Sequence, residues 1–344
     1  MTRRKIFSSR ETHRAAGQDL RDQMKRMLVL IGLVFSCVGA LAQTEPFPQK
    51  PVKIIVPYPP GGMDILYRAL AVELSKKWGQ PVIVENRAGA DSLIGAEAAA
   101  KAAPDGYTIL ATGDFTFIAN RFLYSKLPYD PDKSFVPVSL VAQTEMFILA
   151  SEGLPVNDLR ELVAYARLHP KQLSFGSFSK GSQADLAFLA LNKREGIDLL
   201  AVPYKGIGPV LTGMAGGEIQ LGMGGTNVAE PLIQAKKLKV LAMTGSSRHP
   251  QFPNVKTAAE QGFPYLLSRL WYGVFAPAGT PSHIVKKISA DIQTVLANKE
   301  FVESKIASRG IRALSGNAED LAKRIEDDVT RGEQAFKEAG IKPE

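Results

Sequence analysis

A run of alternating strand-like and helix-like segments near the start of the chain fixes the fold class. Residues 53–57 read Lys-Ile-Ile-Val-Pro, the continuous apolar run of a strand buried on both faces. Pro59-Pro60-Gly61-Gly62 breaks it. A helix is expected over 64–78, with Ile65, Leu66, Ala69, Leu70 and Leu74 on one side and Gly79 as its stop. A strand over 82–85, an Ala-rich helix over 94–103 and a strand over 107–112 complete a βαβαβ order. That order demands a parallel sheet with helices on its faces.

The pattern returns further on. Asn157 can cap a helix to 168, and a short strand covers 173–176. Ser182 can cap a helix over 183–195. Strands follow at 199–203 and 219–223, a helix at 230–237 and a strand at 239–244. Between the two α/β units, residues 136–150 form one long apolar stretch, and 268–276 (SRLWYGVFA) form a second. Two such crossings mean that the chain enters a second domain and returns. The expectation is an α/β protein with two domains, each a mainly parallel sheet flanked by helices, and a ligand cleft between them. Domain one comprises 43–144 plus 270–344, and domain two 145–269. The final helices, expected over 284–296, 300–307 and 319–339, pack on domain one.

The net charge of +8 over 344 residues raises the question of a nucleic-acid or membrane partner. Residues 1–42 hold eight Lys/Arg against three acids, and so carry five of those charges. The rest has no basic run interleaved with aromatics, so nucleic-acid binding has no support. The N-terminus explains the excess. Lys25 and Arg26 precede an apolar stretch from Met27 that ends in Ala40-Leu41-Ala42. That is a signal peptide over 1–42, cleaved before Gln43, with Met24 as an alternative start. The stretch is short of the roughly 20 residues of a membrane span. Cys37, the one cysteine, lies inside it. The mature chain then has no cysteine, which removes disulfides, thiol catalysis and Cys-ligated metal. Export places the protein in the periplasm.

Candidate binding residues sit where strands hand over to helices. Ligands of open parallel sheets bind beyond the carboxyl ends of strands, where helix N-termini offer free N–H groups to anions. The first such loop holds Tyr58, Pro60, Gly61, Gly62 and Asp64. Asp64 either caps the helix or meets a ligand donor. The second holds Ser177, Gly181, Ser182, Gln183 and Asp185. The two could clamp the ends of an elongated ligand. Thr112, Gly113 and Asp114 end the third strand beside the first loop; Tyr204 and Gly224 end strands of domain two. Trp271 and Tyr272 suit either cleft or core. No G-x-G-x-x-G, P-loop, H-E-x-x-H or G-x-S-x-G occurs. His169, His249 and His283 are too scattered for a zinc site. The reading is a binding protein without catalytic residues, cofactor or metal.

The segments FPQKPVKIIVPYPPGG, GQPVIVENRAGA, PDGYTIL, KLPYDP, VPYKG and FAPAGTP closely resemble those of the tripartite tricarboxylate transporter substrate-binding proteins, the Bug family, in order and spacing. The resemblance spans the mature chain. It implies a type II periplasmic binding fold, a small carboxylate ligand and delivery to a two-component integral membrane permease. Some members serve signalling instead, so a sensor kinase is the alternative partner. A secreted α/β hydrolase using Asp64 and Ser182 is the more distant alternative, and a monomer is expected. Three positions depart from the family pattern. Met63 alone separates the paired glycines from Asp64, Asp185 stands where a His is common, and Gly224 stands where an acid often ends the strand. The last two point to a ligand with one carboxylate and an uncharged or aromatic remainder.

Overall fold

The computed structural model describes residues 47–344 except Gly62, Pro250 and Leu267. The expected signal peptide, Met24 and Cys37 lie outside the described residues. Residues 50–344 hold together as one unit built on two sheets that share a strand.

The first sheet contains β1 (Val52–Val56), β2 (Val82–Asn86), β3 (Thr108–Gly113), β9 (Arg269–Pro277), β4 (Phe135–Ser151) and β10 (Arg312–Gly316). Its order is β2-β1-β3-β9-β4-β10. β1 pairs in parallel with β2 and β3, as the βαβαβ order requires, while β9 and β10 run antiparallel to their neighbours. The second sheet contains β5 (Ser174–Ser177), β6 (Leu200–Pro203), β7 (Leu221–Gly225) and β8 (Leu238–Met243) together with the far half of β4. Its order is β6-β5-β7-β4-β8.

β4 explains why the two sheets are joined. Its 17 residues extend roughly 55 Å at about 3.3 Å per residue, enough for two sheets. Residues 135–145 pair with β9 and residues 146–151 with β7 and β8. From Val138 onward every residue of the strand is buried, which is why the sequence there carries almost no alternation. At the changeover Glu145 accepts from Gln143 at 2.8 Å and pairs with Arg312 at 3.2 Å.

The longer helices are α1 (Met63–Trp78), α2 (Leu93–Ala100), α3 (Leu159–Leu168), α4 (Gln183–Glu195), α5 (Ile207–Gly216), α6 (Thr226–Gln234), α7 (Ser282–Leu296) and α8 (Ala318–Ala339). α1 buries Leu66, Tyr67, Leu70, Ala71 and Leu74 on one stripe. α4 has the predicted bounds, between the Ser182 cap and the left-handed Gly196. α8 is highly charged outside Leu321, Gly332 and Phe336, and is held at its start by a capping box of Asn317 and Asp320.

Several expectations are corrected. Asp158, not Asn157, caps α3, because its carboxylate accepts the Glu161 N–H. α5, over residues to which no element was assigned above, is a helix despite Gly208, Pro209, Gly213 and Gly216, since Val210, Leu211 and Met214 bury one face against β7; packing overrides propensity there. α6 starts at Thr226 directly off β7 and stops at Gln234, where Lys236 turns left-handed and the Lys237 N–H reaches back to Leu232. The helix expected over 300–307 loosens after Phe301 into a wide π turn over Val302–Ile306.

Candidate functional site

At the carboxyl ends of β1 and β3 lies a chain of hydroxyl groups. Thr112 donates to the Tyr58 hydroxyl at 3.2 Å and lies 2.7 Å from the Thr116 hydroxyl, which is also 3.2 Å from Tyr58. Thr116 donates to Ser92 at 2.9 Å. Asn120 donates to the Asp91 carbonyl at 2.9 Å, also reaching Ser92 at 3.3 Å. Ala90, Asp91 and Ser92 all have left-handed backbone, with φ of 44°, 49° and 75°. Three consecutive non-glycine residues in that region store strain, and the buried Ser92 contact holds them. Burial pushes the Tyr58 phenol above its ordinary range, against the hydrogen bonds from Thr112 and Thr116. Gly113 follows without room for a side chain, since a Cβ there would meet Met63 Cε at 2.8 Å and the Trp271 carbonyl at 3.1 Å. Thr116 escaped the sequence reading, although its four-residue offset from Thr112 would have flagged it had the short helix Asp114–Phe117 been expected.

The first loop presents Pro60 and Gly61 to solvent, with Gly61 at φ 112°, a region open to glycine. Gly62 lies outside the described residues. Asp64 is 2% exposed, and both its oxygens are taken: Oδ1 accepts from Asn86 at 2.8 Å and Oδ2 from Arg68 at 2.8 Å. It stands within the first turn of α1, not at the cap. Burial works to raise its pKa, but the Arg68 and Asn86 contacts prevail and hold it below the usual carboxylate range.

The second loop is built differently. Ser182 is buried and its hydroxyl accepts the Asp185 N–H at 3.3 Å. Asp185 Oδ2 accepts the Gly181 N–H at 3.0 Å. Its Oδ1 is buried and has no hydrogen-bond partner among the described residues. Burial pushes the Asp185 carboxyl up, opposed by the neighbouring Ser177 hydroxyl and the Gly181 amide. Gly181 has φ +70°, and a Cβ on it would meet the Phe336 ring at 2.8 Å.

The two regions meet at Asp114 and Gln183. Gln183 Nε2 donates to Asp114 Oδ2 at 3.0 Å. Beside this contact runs a cleft of about 330 Å³, lined by Asp114, Gly181 and Gln183 together with Phe115, Tyr265 and residues of α4 and α8. Burial pushes Asp114 up to about 7, and the nearby Asp328 adds to this while Arg324 opposes it. Asp328 itself accepts from Trp271 Nε1 at 2.9 Å and from Arg324 at 2.8 Å, and also pairs with Arg331. Trp271 is therefore core, fully buried, with its indole N–H satisfied. Along the same flank Arg194 pairs with Glu338 at 2.6 Å and lies over the Tyr265 ring at 4.4 Å.

Of the predicted residues, Asp114, Gly181 and Gln183 line this cleft, whereas the described residues of the first loop, Thr112, Gly113, Ser177, Ser182 and Asp185 are not among its walls. Two more lie elsewhere. A Cβ on Gly224 would touch the side chains of Leu149 and Leu211 at 3.5 Å. Position 224 thus faces the core beneath β4, and the glycine there says nothing about ligand charge; this corrects the expectation built on it. Tyr204 packs over Gly213 and donates to Glu218 at 3.3 Å, away from Asp114 and Gln183. Among the described residues no group of three or more His, Cys, Asp or Glu stands together as a metal cage. No described helix is long and apolar enough to cross a membrane.

Two α/β sheets sharing β4, with strand–loop–helix turns meeting at a cleft, define the architecture of periplasmic binding proteins. A family model described as tripartite tricarboxylate transporter family receptor matches residues 66–341, and the chain belongs to that family. BugT of Bordetella pertussis is 33% identical over 323 residues, covering 93% of this chain and 99% of BugT. A solved R. palustris protein with adipate is 32% identical, with a TM-score of 0.77, covering 87% of this chain and 100% of that one. MatC from Rhodopseudomonas palustris with bound malate is 31% identical, with a TM-score of 0.72, covering 84% of this chain and 99% of that one.

Proposed function

We propose that this chain captures a small carboxylate in the periplasm and delivers it to a two-component membrane permease, without altering it chemically. The observation that carries this reading is the Asp114–Gln183 contact beside the cleft, where turns from both sheets converge. Family relatives with adipate and with malate support the ligand class. In this reading residues 43–144 plus 270–344 form one lobe and 145–269 the other. The N-terminal end of α1 draws the ligand carboxylate through its dipole and its first-turn N–H groups other than that of Asp64, which the Gly61 carbonyl accepts at 3.0 Å, and the exposed Pro60-Gly61 backbone allows close approach. Asp64 does not oppose this strongly, because Arg68 and Asn86 already compensate its charge. Closure of one lobe on the other about β4 and the chain leading into β9 would then bury the guest.

Native mass spectrometry and calorimetry on the chain starting at Gln43, against a panel of C3–C8 mono- and dicarboxylates and matched neutral amides, test the reading. At least one carboxylate is expected to bind with Kd of about 10 µM or tighter, near −7 kcal/mol, while its amide does not. A panel in which no carboxylate binds, or in which product accumulates catalytically from esters, would overturn it.

A further inference from the structure

The two long walls of the cleft, α4 and α8, belong to different cores. α4 is bedded on the second sheet, where Ala184, Phe188 and Leu191 pack with Phe175 and Met223. α8 is bedded on the first, where Leu321 packs with Trp271 and Phe275. The gap between the helices therefore follows how the two sheets stand to each other, and a change in it breaks no contact inside either of these cores.

Polar contacts fasten this gap at both ends of α4, roughly 16 Å apart at 1.5 Å per residue. At its start Gln183 donates to Asp114 at 3.0 Å, and just ahead of it Lys180 pairs with Glu344. At its end Arg194 meets Glu338 of α8 in a fork, with Nε donating to Oε2 at 2.9 Å and Nη2 to Oε1 at 2.6 Å. Both members of the fork are set in place by neighbours. Gln334, one turn back on α8, donates to Glu338 at 2.9 Å. The Arg194 guanidinium lies 4.4 Å over the Tyr265 ring, whose hydroxyl donates to Glu195 at 2.9 Å. Arg194, Tyr265, Gln334 and Glu338 all line the cleft. The Arg194 and Glu338 side chains are 36% and 21% exposed. An ion pair this open to water is weak and screened by salt, so it parts and re-forms at little cost. Its forked geometry still makes it specific.

We propose that the Arg194–Glu338 pair is a clasp. It holds α4, and the second loop with it, against α8, and its release lets the cleft widen so that a guest enters and leaves. The part-buried Asp114–Gln183 contact is the end about which the walls pivot, and the exposed fork is the end that opens. Both residues act by positioning the walls; neither is asked to touch the guest. The inference goes beyond the carboxylate reading above and holds whatever class of guest the cleft takes.

Distance measurement between two spin labels on the chain starting at Gln43 tests this without any ligand. That chain has no cysteine of its own. Val72→Cys on α1 and Leu168→Cys at the end of α3, at positions 54% and 78% exposed, place one label in each half. Arg194→Glu alone and Glu338→Arg alone are each expected to raise the population of a second, displaced distance about fivefold. The double swap rebuilds the pair with its charges exchanged and should return the distribution most of the way to wild type, which a merely structural role for either residue would not do. Salt at about 1 M should move the wild type in the same direction as the single reversals. If the reversals fold poorly, Glu338→Gln decides, with about a twofold rise expected. Distances that neither salt nor the folded single variants move, or a double swap that stays displaced, would overturn the clasp. Carboxylate binding is read separately by calorimetry and would stand or fall on its own panel.

Discussion

The turn after β1 and the turn after β5 use the same plan, a parallel strand, a glycine-containing loop and a helix whose first turn holds a buried acid. They differ in what surrounds the acid. Asp64 has a cation and an amide on its two oxygens, and its pKa falls. Asp185 has one backbone amide and the neighbouring Ser177 hydroxyl but no cation, and burial makes its pKa rise. Asp64 is thus part of the scaffold that shapes the first loop, whereas Asp185 has no cation to compensate its buried charge. The same residue type at nearly the same place in two equivalent motifs is therefore paired with a cation in one and with neutral donors alone in the other.

Asp114 lies between these extremes, and it carries the largest expected effect. Its carboxyl is pushed up to about 7 by burial and by Asp328, with Arg324 opposing; Gln183, Tyr58 and Tyr272 also face it. An unfolded Asp titrates near 4. The folded state therefore holds the proton more tightly, so the stabilisation is complete below about pH 4 and is lost as pH rises to about 7. The loss amounts to at most about 4 kcal/mol, less where water reaches the group. Urea unfolding of Asp114→Asn between pH 4 and 7 should show a clearly flatter dependence than the wild type. An equal slope in both would mean that Asp114 is ionised in the closed cleft and that the Gln183 contact is an ordinary charged one.

The next contrast sets the two loop acids against each other. Asp64→Ala strips acceptors from Arg68 and from the partly buried Asn86, and should cost about 2–3 kcal/mol. Its effect on stability should fade below pH 4, because a carboxylate with a lowered pKa contributes only while ionised. Asp185→Asn should change stability by no more than about 0.5 kcal/mol at pH 7, or raise it, since it removes an uncompensated buried charge. Chemical denaturation of both variants settles the comparison. If Asp185→Asn costs as much as Asp64→Ala, the two acids are equivalent structural members and the asymmetry drawn between the loops is wrong.

Much of this was readable in the chain because it depends on local chemistry. The Ile-Ile-Val run of β1, the Gly79 stop of α1 and the Ser182–Gly196 bracket of α4 each impose their structure within a few residues. What the sequence did not disclose depends on contacts far along the chain. The direction of position 224 is set by Leu149 and Leu211, and one partner of Asp64, Asn86, lies 22 residues away. α5 owes its form to burial against β7, which its glycines and proline conceal. The identity of the loop acids could be read, and the Arg68 pairing, one turn along α1, was open to reading as well; the burial of Asp64 and its Asn86 contact were not, because they form only after β1, β2 and α1 have packed.

The smallest expected effect concerns Ser182, which precedes Asp185 by three residues in the second loop. It is 1% exposed, and its hydroxyl accepts the Asp185 N–H at 3.3 Å, a long bond for a cap. Replacing an N-cap serine by alanine costs about 0.5–2 kcal/mol, and the long contact favours the lower end, about 0.5–1 kcal/mol. Ser182→Ala should therefore lower the midpoint of thermal unfolding slightly. Ser177→Ala should leave that midpoint within error, because the Ser177 hydroxyl is only partly buried and its contact to the Ser179 carbonyl, at 3.4 Å, is weak. The pair separates the hydroxyl that caps the helix from the one at the strand end. If instead Ser177→Ala destabilises the fold and Ser182→Ala spares it, the strand-end hydroxyl, through its contact with Asp185, holds the second loop and the helix cap does not.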